Sequence, residues 1–335
     1  MKKYYQPIAR LGGSPSAGAQ QLAGGICWFD QVVLRQRGQA DRVVSVDDIP
    51  KDVLDRITAP RPSVAGMPMN TPQVMGILNV TPDSFSDGGK YSGQDVAVQH
   101  ALSMVKAGAS IIDIGGESTR PGAETVSVDD EIARTAPVID AIREHSAIPI
   151  SIDTRKAAVA LAAIEAGANL VNDVAALSYD QELAGVTARS GLPVCLMHAQ
   201  GDPETMQNDP QYDDVLLDVY DYLEQRVSTA EAAGIARKNI IVDPGIGFGK
   251  TLEHNLILLR GLSLFHSLGC PILLGASRKK FIGTLGGGAS ATDRVAGSVA
   301  VALHGVRQGV QLLRVHDTFE TKQAIDLELA INKAE

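Results

Sequence analysis

Residues 149–166 read PISIDTRKAAVALAAIEA and form the clearest strand–helix unit in the chain. The apolar run Pro149–Asp153 has the length of a buried strand, and Lys156–Ala166 has helical periodicity. Gly167 follows at once, which is typical of a helix end. The segment therefore predicts a strand that ends in a carboxylate and leads directly into a helix.

The same alternation recurs through the rest of the chain, from residue 74 to residue 335. Eight such units over 262 residues predict a (β/α)8 TIM barrel, an α/β fold of about 250 residues. The alternative, a doubly wound sheet, needs a glycine-rich turn after its first strand, where this chain reads NVTPD at 79–83. The predicted strands are Val74–Val80, Ser110–Gly116, Pro149–Asp153, Leu170–Val174, Pro193–His198, Ile240–Pro244, Ile272–Ser277 and Leu312–His316.

The composition of the 335 residues excludes several classes of protein. A net charge of −9 argues against a nucleic-acid partner, and 4% aromatic residues argue against base stacking. Three cysteines without CxxC spacing exclude a disulfide scaffold and favour a reducing, cytoplasmic location. We find no candidate membrane span and no apolar signal segment behind the first residues, so no membrane partner is expected.

The chain changes character near residue 70. Residues 1–73 contain nine Lys and Arg against six Asp and Glu, whereas the remainder contains 21 against 33. We predict a small N-terminal extension over 1–70 and a barrel domain over 74–335. The apolar runs 27–29 and 32–34 predict at least one packed strand in the extension, the alternative being a disordered tail.

Polar residues stand at the carboxyl end of every predicted strand, which is the active-site face of such a barrel. A single polar strand end is usually a helix cap, but eight at one rim predict a functional site. They are Asn79, Glu117–Arg120, Asp153–Thr154, Asn172–Asp173, His198, Asp243, Ser277–Lys279 and Arg314–Asp317.

Asp153, Asn172 and Asp243 follow three different strands and can converge on one pocket. Two carboxylates and an amide suit a flat heterocycle with several N–H groups and a ring carbonyl, such as a pterin or guanine. Lys279 could meet the carbonyl side of that ring. The alternative for each aspartate alone is a helix cap or an ion-pair partner.

Arg314 and His316 alternate along the last strand and therefore point to the same side. They predict a site for a phosphate or diphosphate, since arginine binds such anions through two hydrogen bonds; an ion pair of Arg314 with an aspartate is the alternative. Asn79 could assist or bind a metal. No zinc spacing occurs, but Mg²⁺ that arrives with a diphosphate needs few protein ligands.

Two long loops, 80–94 and 117–128, follow the first two strands and have the length of functional lids. Phe85 is a lone aromatic residue in the first. The loop 245–251 reads GIGFGKT and looks like a phosphate loop, but Pro244 stands where the Walker A motif needs glycine. We interpret it as a tight turn that aims Asp243 and brings Phe248 near the pocket.

These motifs resemble those of the dihydropteroate synthase family, in that family's order and over the whole of 74–335. The two most specific are MGILNVTPDSFSDGG at 75–89 and GGESTRPGA at 115–123. The others are SIDT at 151–154, NDV at 172–174, LMH at 196–198, DPGIGFGK at 243–250, GASRKKFIG at 275–283 and LLRVHD at 312–317.

The resemblance implies a pterin-binding catalytic barrel that uses Mg²⁺. The implied reaction joins 6-hydroxymethyl-7,8-dihydropterin diphosphate to 4-aminobenzoate and releases 7,8-dihydropteroate and pyrophosphate. It implies pterin binding by Asp153, Asn172, Asp243, Lys279 and Arg314, and diphosphate binding by Asn79, Thr119, Arg120, Arg314 and His316. It further implies an aminobenzoate site at Phe85, Pro121 and Ser277, and Mg²⁺ at Asn79.

Two other functions are weighed against this one: a methyltetrahydrofolate-dependent methyltransferase on a similar barrel, and a non-catalytic pterin-binding paralogue. The first does not need the anion site or the 115–123 loop, and the second should have lost pocket residues, yet all are present. We expect a homodimer built on the apolar helices after the last three strands. Because nothing is inserted in the 79–89 loop, we expect ordinary sulfonamide sensitivity.

Overall fold

The computed structural model describes residues 1–81, 93–118, 125–201 and 206–333. Its N-terminal extension is folded, with two three-stranded antiparallel sheets, one of β1, β5 and β6 and the other of β2, β4 and β3. Strands β4 and β5 contain the two apolar runs from which a packed strand is predicted. The elements are β1 (Tyr4–Pro7), β2 (Arg10–Leu11), β3 (Gln20–Gln21), β4 (Cys27–Phe29), β5 (Gln31–Arg35), β6 (Arg42–Ser45) and α1 (Lys51–Thr58).

The barrel consists of eight parallel strands, and the predicted (β/α)8 fold is confirmed. Their order is β12-β11-β10-β9-β8-β7-β14-β13, and a bridge from Val242 to Ile272 brings the two outer strands together. The strands are β7 (Gln73–Asn79), β8 (Ile111–Gly115), β9 (Ile150–Asp153), β10 (Leu170–Asp173), β11 (Val194–Met197), β12 (Ile240–Asp243), β13 (Leu273–Leu274) and β14 (Leu312–Val315).

Helices surround the barrel, and several of them begin at a side-chain cap. The Ser127 side chain accepts a hydrogen bond from the Asp130 amide at the start of α3. None of the helices in the described ranges is long and apolar enough to cross a membrane. The helices are α2 (Gly93–Lys106), α3 (Val128–Arg143), α4 (Ala157–Glu165), α5 (Gln181–Ser190), α6 (Val215–Ala232), α7 (Leu252–Arg260), α8 (Lys280–Gly286), α9 (Val295–Arg307) and α10 (Thr318–Lys333).

The end of the extension closes the amino end of the barrel. A hairpin turn joins Val64 to Met67, with positive φ at Ala65 and Gly66. Its apolar side chains and Met69 are buried against the strands' inward-facing residues. That cluster is Val64, Met67, Met69, Met75, Ile111, Leu170, Cys195, Ile241, Leu273 and Leu312. The extension therefore completes the barrel core.

Truncating Met67 should destabilise the whole barrel. The side chain is 4% exposed, so Met67→Ala should lower the free energy of unfolding by about 2–3 kcal/mol, since a cavity remains. Urea denaturation measures this. The control is Val43→Ala in the same extension, where the side chain is 57% exposed. Equal effects of the two variants would show that the hairpin does not belong to the core.

Candidate active site

The carboxyl ends of the strands bring predicted site residues to one level of the barrel mouth. Asn79 is in register with Gly115, Gly115 with Asp153, and Asp153 with Asn172. Asp243 ends β12 on the far side of β11. Because alternate residues of a strand face the interior, these polar side chains meet where the apolar core stops.

Arg314 crosses the barrel mouth and joins two carboxylates. Its Nε lies 2.5 Å from Asp113 Oδ2, and its Nη2 lies 2.7 Å from Asp153 Oδ2. The ion pair that was the alternative for Arg314 is therefore present. Its side chain nevertheless remains 21% exposed, so part of it stays accessible.

Asp113 is a site residue that the sequence reasoning missed. It is fully buried in β8 and accepts a hydrogen bond from Asn172 Nδ2 at 3.2 Å as well as the one from Arg314. It thereby fixes the orientation of both side chains. The available signal was a carboxylate inside the otherwise apolar strand Ile111–Gly115, because such a group is buried only when it is paired.

Asp153 offers an unused acceptor to the pocket. Its Oδ2 takes the Arg314 hydrogen bond, while its Oδ1 is buried without a hydrogen-bond partner in the described part of the chain. Burial raises the pKa of Asp153 to about 7, opposed by Arg314 and assisted by the charge of Asp113. An unsatisfied buried acceptor favours a ligand N–H at this position.

Asp243 and Lys279 influence each other electrostatically at the mouth of the barrel. Asp243 Oδ1 accepts a hydrogen bond of 2.7 Å from the Gly245 amide, and burial raises its pKa, opposed mainly by Lys279. Burial lowers the pKa of Lys279 to about 7, opposed by Asp243. The Lys279 ammonium donates to the Ile246 carbonyl and lies 4.4 Å from the ring centroid of Phe248.

The loop after β12 is a tight turn that Lys250 holds in place. Lys250 Nζ lies 2.9 Å from His198 Nδ1 and 2.9 Å from the Phe248 carbonyl oxygen. A Cβ on Gly245 would lie 1.8 Å from the His198 carbonyl oxygen, so only glycine fits there. His198 is buried, and burial lowers its pKa well below the ordinary value. This histidine supports the wall of the pocket.

Ser277 and His316 meet beside the pocket, but Arg278 turns away from it. Ser277 Oγ accepts a hydrogen bond from the His316 amide at 3.2 Å and lies 3.1 Å from His316 Nδ1. Arg278 has a φ of +57° and pairs with Asp317 through Nε at 3.0 Å. The left-handed backbone at Arg278 sets Ser277 and Lys279 on either side of the turn.

Four predicted residues lie outside the described residues: Phe85, Thr119, Arg120 and Pro121. Their predicted roles therefore stay predictions. The chain on both sides of residues 119–124 is described, and Glu117 is buried there in ion pairs with Arg155 and Lys156. Glu117 thus has a structural partner of its own and does not face the pocket as a free carboxylate.

Asn79 presents an amide oxygen at the same rim. A Cβ on Gly115 would lie 3.8 Å from Asn79 Oδ1 and 3.7 Å from Asp153 Oδ2, so both oxygens lie near the same side of Gly115. The described ranges hold no cluster of three metal-ligating side chains. Mg²⁺ that is bound chiefly by a diphosphate requires only one or two protein oxygens, and Asn79 fits that requirement.

Two properties of this rim define the class of protein. Hydrogen-bonding side chains end β9, β10 and β12 at one rim of the barrel, and the basic residues Lys279 and Arg314 interact with their carboxylates. Together they define a (β/α)8-barrel enzyme that binds a flat, hydrogen-bonding heterocycle next to an anion.

Comparisons with known proteins identify the family. The family described as pterin binding enzyme matches residues 75–316. Dihydropteroate synthase of Escherichia coli strain K12 is 48% identical over 257 residues, which is 77% of this chain and 90% of the relative. The chain belongs to the pterin-binding enzymes and, within them, to the dihydropteroate synthases.

Solved structures agree over the barrel. Dihydropteroate synthase of Xanthomonas albilineans with 4-aminobenzoic acid superposes with a TM-score of 0.77 at 44% identity, over 81% of this chain and 97% of that one. The Yersinia pestis dihydropteroate synthase in complex with a sulfonamide drug gives 0.77 at 46% identity, over 82% and 99%. The part of this chain that these superpositions do not cover has about the length of the N-terminal extension.

Proposed function

We propose that the chain condenses 6-hydroxymethyl-7,8-dihydropterin diphosphate with 4-aminobenzoate, which yields 7,8-dihydropteroate and pyrophosphate for folate biosynthesis. The observation that carries the proposal is the buried, unsatisfied Oδ1 of Asp153 beside Asn172, Asp243 and Lys279. Such a set matches the N–H groups and carbonyl of a pterin. The methyltransferase alternative is not favoured by the relatives.

The residues of the pocket have complementary roles in holding the pterin. Asp153 and Asp243 accept hydrogen bonds from ring N–H groups, and Asn172 both donates and accepts. Lys279 donates to the ring carbonyl side, and the exposed face of Arg314 stacks on the ring. Asp113 touches no substrate in this scheme; it positions Arg314 and Asn172 through the hydrogen bonds described above.

Departure of pyrophosphate leaves positive charge on the pterin methylene and builds negative charge on the leaving group. The carboxylates of Asp153 and Asp243 stabilise the first, and the side chains of Arg314 and His316 stabilise the second. When bound, Mg²⁺ supplies further neutralisation of the diphosphate, with Asn79 as its protein ligand. The arylamine then attacks, and no strong general base is needed because the resulting ammonium loses its proton readily.

The 4-aminobenzoate site is proposed at Ser277, with Phe85 and Pro121 as its other boundaries. Ser277 is buried at the turn between β13 and α8 and already contacts His316. Thr119 and Arg120 are proposed to meet the diphosphate from the same loop as Pro121. Sulfonamides are proposed as inhibitors of this site, as the drug complex of the Yersinia pestis relative suggests.

The kcat/KM for the pterin diphosphate should follow a bell-shaped pH profile with a maximum at about pH 7. The pKa of Asp153 is raised to about 7 and that of Lys279 lowered to about 7, both by burial. Asp153 binds as a carboxylate, so activity falls on the acidic side; Lys279 binds as an ammonium, so activity falls on the alkaline side.

Lys279→Arg distinguishes the acidic limb of the pH profile from the alkaline limb, because a guanidinium stays charged at every pH tested. The alkaline limb should disappear in this variant while the acidic limb remains. An alkaline limb that persists unchanged would contradict the role given to Lys279. The rate at each pH is measured by pyrophosphate release.

Complementation tests the proposed function in cells. The chain should restore growth without folate end products to a bacterial strain that lacks its own dihydropteroate synthase, and a sulfonamide should abolish that growth. Asp243→Asn, expressed to the same level, should fail to complement. A folded wild-type chain that binds the pterin but does not complement would point instead to the non-catalytic paralogue.

We also propose a homodimer in the cytoplasm. The helices after the last three strands expose large apolar side chains: Leu256 on α7, Leu285 on α8 and Leu327 on α10. Such apolar surface favours a protein–protein contact. The three cysteines are free and buried, as suits a reducing compartment. Light scattering should give twice the 35.3 kDa chain mass, and Leu256→Glu should shift it towards the monomer.

A further inference from the structure

The N-terminal extension contacts helix α6 as well as the amino end of the barrel. Three of its side chains donate to one carboxylate on that helix, Asp221. Lys2 Nζ lies 2.6 Å, Tyr4 Oη 2.9 Å and Arg37 Nη2 2.7 Å from its oxygens. These hydrogen bonds lower the pKa of Asp221, although burial opposes them. The contact is therefore a charge-complementary docking of the extension on α6.

Arg37 makes a second contact one turn closer to the active site. It follows β5, and its Nη1 lies 2.6 Å from Asp218 Oδ1 in the first turn of α6. The other oxygen of Asp218 accepts the backbone amides of Asp213 at 3.0 Å and Asp214 at 3.2 Å. Because α6 follows β11, its first turn lies at the carboxyl end of the barrel.

The segment 206–214 that precedes α6 packs against the loop after β12. Tyr212 Oη donates to the Gly249 carbonyl at 2.7 Å, and Gln207 Nε2 donates to the Gly247 carbonyl at 2.6 Å. The same loop contains Phe248 and the Ile246 carbonyl, both of which contact Lys279. A continuous series of hydrogen bonds and packing contacts thus leads from Arg37 to the pterin pocket.

We propose that Arg37 is a positioning residue for the pterin site, acting through Asp218 and the segment 206–214 on the loop that holds Lys279. The extension would then tune substrate binding in addition to closing the barrel. The proposal rests on the proposed function only in taking Lys279 as a pterin ligand. An isolated surface ion pair contributes little, but this guanidinium joins two carboxylates on successive turns of one helix.

The test compares Arg37→Gln with Arg37→Lys and with a matched surface pair elsewhere. Arg37→Gln should raise the KM for the pterin diphosphate about threefold and leave the KM for 4-aminobenzoate and kcat within about twofold. Arg37→Lys should give a smaller rise, because lysine cannot join both carboxylates. The control is Arg307→Gln, which breaks the bidentate pair of Arg307 with Glu328 and should change neither constant.

Hydrogen–deuterium exchange gives a readout that does not depend on activity. In Arg37→Gln the amides of 206–217 and 245–251 should exchange faster than in the wild type, whereas those of β7–β10 should not change. In an Asp218→Asn background the substitution should have no further effect on either segment, since the connection is already broken.

The outcomes separate this proposal from the proposed function. An inactive wild type would count against the synthase reaction, and the exchange experiment would still test the role of Arg37. An active wild type with unchanged pterin KM and unchanged exchange in Arg37→Gln would overturn the positioning role. Equal rises in the KM of both substrates, or faster exchange throughout the barrel, would show a general structural effect and would also overturn it.

Discussion

Arg314→Met should lower kcat/KM for the pterin diphosphate about a thousandfold. Arg314 is the cation that stands between Asp113 and Asp153, with a nitrogen 2.5 Å from the first and 2.7 Å from the second. Methionine keeps much of the apolar stem but removes the charge that stabilises the departing diphosphate and the plane that stacks on the pterin. Steady-state kinetics with both substrates measures the loss.

The Arg314→Lys variant separates charge from geometry. Lysine retains one positive charge but cannot hold two carboxylates through a planar fork, so we expect an intermediate loss of about thirtyfold. If Arg314→Met keeps kcat/KM within tenfold of the wild type, Arg314 stabilises the barrel and does not take part in the reaction. Folding of both variants is checked by circular dichroism, because two buried carboxylates without their shared cation also destabilise the protein.

Lys156→Met should destabilise the protein more than Met67→Ala does. Lys156 Nζ is buried 3.2 Å from Glu117, 2.7 Å from Glu131 and 2.6 Å from the Val126 carbonyl oxygen. Removal of this ammonium leaves two buried carboxylates without their shared partner. We expect a decrease in the free energy of unfolding of about 4 kcal/mol, measured by urea denaturation.

Two further variants test the reason for that loss. Lys51→Met removes a lysine that pairs with Asp55, and the two side chains are 87% and 62% exposed. This variant should lower the free energy of unfolding by about 0.5 kcal/mol at most. The triple variant Lys156→Met, Glu117→Gln, Glu131→Gln removes the stranded charges and should recover more than half of the loss. A Lys156→Met variant as stable as Lys51→Met would contradict the buried network.

The sequence predicted the barrel well because strand and helix patterns are local. Each of the eight apolar runs overlaps an observed strand, and Gly108, Gly167 and Gly234 follow helix ends with positive φ. The poorest match is β13, which covers only Leu273–Leu274 of the predicted Ile272–Ser277. The chain leaves the ladder after Leu274 and then turns at Arg278, which has a left-handed backbone.

The parts that could not be predicted depend on contacts between distant residues. In the sequence Asp113 occupies an ordinary strand position. Its partner Arg314 is 201 residues away along the chain, so the pair forms only in the folded protein. The strands of the extension have only two to five residues and therefore lack a readable period. The contact of Arg37 with Asp218 arises only in the folded chain. Phe85, Thr119, Arg120 and Pro121 rest on the resemblance alone.

Pyrophosphate release by the purified chain tests the central claim most directly. The substrate is 6-hydroxymethyl-7,8-dihydropterin diphosphate with Mg²⁺, measured with and without 4-aminobenzoate, for the wild type and for Asp243→Asn and Lys279→Ala. We predict release that requires 4-aminobenzoate and falls at least about a hundredfold in both variants. A folded wild type that binds the pterin diphosphate but releases no pyrophosphate, or variants as active as the wild type, would contradict the account.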